Sequence, residues 1–140
     1  MKLGHTKRED RSRAAKYRSV GRSLYRTAQD LATIGESKYG NGLAIVSIHA
    51  AIAYTDALTV AFAEIKSTAG DHLRAIDVLQ HALARHAEPD QVRRLGAILN
   101  AKSHASYSGN YYTLEDGQKL LKEVEAYVAW AEDLLERRPL

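Results

Sequence analysis

At 140 residues, 45% hydrophobic and 26% charged, the chain has the size and composition of one globular domain with a single buried core. It has no cysteine, which excludes a disulfide framework and thiolate metal sites and fits a reducing, cytoplasmic setting. The net charge of +3 is uneven: residues 1–26 hold nine Lys or Arg against Glu9 and Asp10, for +7, and the rest of the chain holds −4, so a basic N-terminal segment on a mildly acidic body is set up for an electrostatic partner.

The opening MKLGHTKREDRSR has no apolar run, so no secretory leader is expected. With two prolines, Pro89 and Pro139, and almost no β-branched alternation, the chain reads as helical throughout. A first helix is expected from about Glu9 to Ile34. Its apolar stripe is Ala14, Ala15, Tyr17, Val20, Leu24, Ala28, Leu31 and Ile34, and its opposite face is basic. Gly21 weakens it locally and Gly35 ends it.

The second helix, Leu43 to about Lys66, is apolar on nearly all sides and long enough to span a membrane. It carries His49, Asp56 and Glu64 and lacks an aromatic belt, which makes it a buried core helix, and no membrane partner is expected. Ala50, Ala51, Ala53, Ala57 and Ala61 permit close approach by a neighbouring helix, including one from a second subunit.

Residues Ser67–Gly70 read as a loop and Asp71 to His86 as a third helix. Pro89 ends the next connection, and Asp90 caps a fourth helix that fades between Lys102 and Tyr107. A polar corner follows, in the stretch LNAKSHASYSGNYYT. Thr113 and Asp116 then form a relative of the capping box before a last helix to about Glu136. The expectation is one all-α domain over 1–140, an up-and-down antiparallel bundle of about five helices.

The chemistry on offer is limited. There is no HExxH pattern, and His81 and His86 face different ways on a helix, so neither a metal nor a cofactor is expected. The GNG at Gly40–Gly42 precedes a helix but lacks the P-loop lysine. His49 and Asp56, seven apart, share a face of the central helix. They suit holding a base or a catalytic group, or being hydrogen-bonded members of the core or of an oligomer seam. At the corner, Lys102, His104 and Tyr107 bring a cation, an imidazole and a phenol together, a set able to contact phosphate and shuttle a proton. Lys and His also favour helix C-termini simply by complementing the dipole. Arg22 and Arg26 are the binding candidates at the end of the basic segment.

The segment GESKYGNGLAIVSIHAAIAYTDAL, followed by KSHASY and SGNYYTLEDGQKLLKEVEAYVAWAEDLL, resembles HEPN-domain proteins over about residues 28–136. The resemblance implies an all-α bundle, commonly a homodimer. It also implies a role in RNA cleavage within toxin–antitoxin or defence systems, in RNA or nucleotide binding without cleavage, or as the partner of a nucleotidyltransferase. The family's ribonucleases carry Arg-x(4–6)-His near the late turn. Here Lys102 stands where the arginine would be, and the positions a histidine would need hold Tyr107, Ser108 and Gly109. Arg74 and His81 meet the spacing on the third helix, away from that place. Lysine neutralises phosphate without copying the guanidinium fork.

The expectation is therefore a binding module for RNA, a nucleotide or a protein partner (an antitoxin or a nucleotidyltransferase), without cleavage. The alternatives are a ribonuclease toxin with a rearranged site, using His104 or His81 as acid–base group, and a purely structural protein–protein module.

Overall fold

The computed structural model describes residues 5–68, 72–106 and 111–138, the side chains of 72–73 and 103–106 apart. Five helices pack into an all-α bundle: α1 (Ala14–Ile34), α2 (Gly40–Ala63), α3 (His72–Leu83), α4 (Pro89–Ser106) and α5 (Leu114–Arg137). Helix α2 is the axis and touches all the others. An all-round apolar helix is stable in water only when covered on every side. The stretch Ser37–Ala63 is long and apolar enough to cross a membrane, and 72% of its most apolar window is buried against the rest of the bundle.

Ala50, Ala51, Ala53, Ala57 and Ala61 of α2 are all buried within the chain. The neighbours they admit are the chain's own helices. This corrects the expectation of a subunit seam along them, because no face of those alanines is left for a second copy.

Helix α1 approaches α2 at Gly21, where a methyl group would stand 2.7 Å from the Tyr54 ring. Glycine there admits the buried tyrosine, which accounts for a residue that weakens the helix by itself. Tyr54, Leu58, Leu79, Leu95, Ile98, Val124 and Tyr127 then fill one core. Inside it, the Thr55 and Tyr127 hydroxyls are hydrogen-bonded at 2.6 Å, and Thr55 also donates to the Ala51 carbonyl. The most buried phenol is thereby satisfied.

The chain is not helical throughout. Thr6–Arg8 forms β1 and pairs antiparallel with β2, Ile65–Ser67, with Lys7 opposite Lys66. The ladder continues through Glu9 N–H to the Glu64 carbonyl. Helix α1 consequently starts at Ala14 instead of Glu9. Asp10 opens a preceding 3₁₀ turn, Arg11–Arg13, by accepting from the Ser12 N–H. Helix α2 runs from Gly40 to Ala63, shifted from the expected Leu43–Lys66, and is stopped by Glu64 in the left-handed region at φ 54°.

Two further starts and stops follow ordinary rules. Gly35, at φ 70°, closes α1. Helix α4 begins at Pro89, whose missing N–H costs nothing in the first turn, so Asp90 lies inside the helix instead of capping it.

The starts of α2 and α5 are in close contact. A methyl group on Gly40 would overlap the backbone of Tyr112 and Thr113, and one on Gly117 would meet the Gly40 carbonyl at 3.0 Å. Thr113 and Asp116 form a full capping box there. At Gly42, two residues on, an added methyl meets nothing within 4 Å. Two substitutions of the same kind should therefore have opposite signs. Gly42→Ala should stabilise the protein by about 0.5–1 kcal/mol through helix propensity, and Gly40→Ala should destabilise it by about 1–3 kcal/mol through overpacking. Thermal unfolding of the pair checks this, and a matching shift in both would refute the close contact.

Candidate functional site

The corner's two described flanks both lie against the N-terminal half of α2. On the descending side, Tyr111 donates its hydroxyl to the Ser37 carbonyl at 3.1 Å. Tyr112 donates its N–H to the Asn41 side chain at 2.9 Å. On the ascending side, Lys102, in the last part of α4, is half-buried and has no carboxylate partner among the described residues. It stands near enough to His49, on the accessible side of α2, for its charge to act on that ring. Partial burial of the imidazole, and then the Lys102 charge, lower the His49 pKa below its ordinary value, so the ring is neutral at neutral pH.

His49 and Lys102, on separate elements, are thus close enough for the lysine charge to be felt at the imidazole. His104 belongs to α4 by its backbone, and its side chain lies outside the described residues, as does the whole of Tyr107.

Asp56 does not join them. It is two turns further along α2, about 10 Å away on the axis, and no hydrogen bond links it to His49 among the described residues. Its neighbour is Lys66 on β2, at 3.8 Å. Burial pushes the Asp56 carboxyl up to about 6; Glu9 adds to this, and Lys66 and Lys7 oppose it. His49 and Asp56 share a face of the helix, and each has its own surroundings: Lys102 acts on the first and Lys66 pairs with the second.

Much of the basic N-terminal segment is already neutralised. Arg18 and Arg22 both bind Glu132 on α5, Arg18 also reaches Glu136 at 2.8 Å, and the Tyr54 hydroxyl donates to Glu132 at 2.6 Å. Burial alone would raise the Glu132 carboxyl, but the hydrogen bonds from Arg18, Arg22 and Tyr54 outweigh it and hold it at about 2. Glu9 accepts from Arg13 and from the Tyr17 hydroxyl, and Arg11 pairs with Glu64. Of the two candidates named at the end of the segment, Arg22 is half-accessible but engaged. Arg26 is exposed and, among the described residues, unpaired, as are Arg8 and Lys16.

Elsewhere, Arg74 and His81 are exposed on α3. Among the described residues no group of three His, Asp or Glu is placed to hold a metal ion. A groove of about 430 Å³ lies between α1 and the first half of α5, lined by Ala32, Glu115, Gln118, Lys119 and Lys122 among others. It contains none of the residues expected to bind.

The Glu132 network was missed from sequence, because its members lie more than a hundred residues apart on α1 and α5. The available signal was Gly21, an unexplained glycine within a helix. The chain matches no known protein-family model, no curated protein and no solved structure.

Asp56 and Glu132 make opposite contributions to the pH dependence of stability. Asp56 is raised on folding, so its contribution is present at low pH and lost as pH rises through about 6. Glu132 is lowered, so its contribution is present above its unfolded pKa and lost as pH falls toward about 2. Asp56→Asn should therefore be more stable than the parent at pH 8, by up to about 3 kcal/mol, with the gain vanishing near pH 4. Denaturant unfolding across pH measures it, and a pH-independent gain would contradict the burial of a charged Asp56.

Proposed function

We propose that the chain is an HEPN-like helical module that binds RNA or a nucleotide through phosphate at the α2–α4 corner, without cleaving it. The observation that most supports this is Lys102, unpaired among the described residues, whose charge reaches the His49 ring. An amine with no carboxylate to neutralise it stands near an imidazole that is uncharged at neutral pH and free to donate or accept a hydrogen bond. Lysine neutralises phosphate as a point charge, and the imidazole adds direction. The resemblance in the late turn supplies the rest of the reading, with Lys102 where the ribonuclease members carry arginine. The same resemblance is the ground for proposing a homodimer and an antitoxin or nucleotidyltransferase partner. After the burial of the α2 alanines, such a dimer would use an outer face of the bundle.

The decisive test is fluorescence anisotropy with a labelled single-stranded RNA over a salt series, with the same samples run on a gel. Binding should weaken steeply with salt and leave the RNA intact. Lys102→Ala should reduce the slope of log affinity against log salt by about 0.7. His49→Ala should weaken binding without changing that slope. Cleavage that disappears in His104→Ala would replace this reading with the ribonuclease one, and absence of binding at physiological salt would leave a structural protein–protein module.

A further inference from the structure

The C-terminal end of α2 carries a second cationic and aromatic group that the corner does not use. Two arginines converge on one carbonyl there: Arg11 Nε donates to the Ala61 oxygen at 2.7 Å, and Arg138 Nε donates to the same oxygen at 3.1 Å. A cation at the negative end of a helix dipole is ordinary, and Arg11 meets that need, with its own charge answered by Glu64. Arg138 is a second cation, and among the described residues no carboxylate pairs with it. Its guanidinium lies over the ring of Phe62, 4.7 Å from the centroid. The exposed His86 stands on the same phenylalanine at 5.6 Å, tilted by 59°. Arg85, next to His86, is exposed and also unpaired among the described residues.

The geometry points to a second nucleic-acid contact here, in which Arg138 and His86, backed by Phe62, receive an unpaired RNA base and its adjoining phosphate. Planar guanidinium and imidazole groups held against an aromatic ring are surfaces on which bases stack, and the terminal nitrogens of Arg138 remain for phosphate oxygens. An acidic peptide would use the charge but not the stacked planes. The inference rests on the RNA reading of the corner and narrows it. Phe62 is thirteen residues beyond His49, which is about 20 Å along α2 and nearly the opposite side of it. A mononucleotide cannot touch both places, whereas a strand of several nucleotides can, so use of both contacts by one ligand calls for RNA and not a free nucleotide.

The test uses the full chain and the same labelled single-stranded RNA. Arg138→Ala and His86→Ala should each bind several-fold to about tenfold more weakly, and only Arg138→Ala should lower the salt slope, by about 0.7. Arg138→Lys keeps the charge and guards against a folding defect in the alanine variant: it should retain the slope and lose affinity, because the stacking plane is gone. If wild type binds RNA and responds to Lys102→Ala while the Arg138 and His86 variants bind like wild type, this inference fails and the corner reading stands. If wild type binds no RNA, both fail.

Discussion

A helix that is apolar all round has no side it can present to water, and the rest of this molecule follows from covering α2. Most of its alanines and larger aliphatic residues are buried by α1, α3, α4 and α5, and at about 25 cal/mol per Å² of apolar surface that burial is the main stabilising term. The few polar groups on α2 are then confined. Tyr54 reaches the Glu132 carboxylate, Thr55 binds Tyr127, Asp56 finds Lys66, and His49 emerges near Lys102. The candidate site is thus the place where the central helix's polar residue meets an unpaired cation.

The same packing changes the meaning of the basic N-terminal segment. Read along the chain, its nine cations look like an arm waiting for a polyanion. In the fold, Arg18 and Arg22 hold α1 to α5, and Arg11 and Arg13 hold the entry to α1. Ion pairs at an exposed surface contribute little, but a carboxylate shared by two guanidiniums and a phenol is a network with defined geometry. The charge left for a partner is dispersed over Arg8, Lys16 and Arg26, while Lys102 stands near His49 and Arg138 and Arg85 lie by the C-terminal end of α2.

The five helices were legible because α1, α3, α4 and α5 carry a helical apolar period and α2 is one long apolar run, and two of their boundaries because Gly35 and the Thr113–Asp116 pair are unambiguous signals. The two strands were not. Thr6–Arg8 and Ile65–Ser67 have three residues each, too few to show alternation, and they exist because they find each other. The position of Asp90 was misjudged because proline suits the first turn as well as it suits a break. For the site, residue types indicated His49 and Lys102 separately, but their meeting depends on how α4 lies across α2. The separation of Asp56 from His49 was hidden for the converse reason: seven residues give one face of a helix but two different neighbourhoods.

The short ladder between β1 and β2 also bears on the order in which the molecule assembles. It joins the start of the chain to a segment that exists only after the whole of α2, and its contacts, with those of Arg11 to Ala61 and Glu64, close a long loop. Closing that loop costs entropy that no local contact offsets in advance. The strand and 3₁₀ turn ahead of α1 are therefore the part that fastens late, after α1 and α2, neighbours in sequence, have packed against each other. The same ladder is where local opening would begin, freeing the N-terminal strand and its cations while the α2–α5 core stays intact.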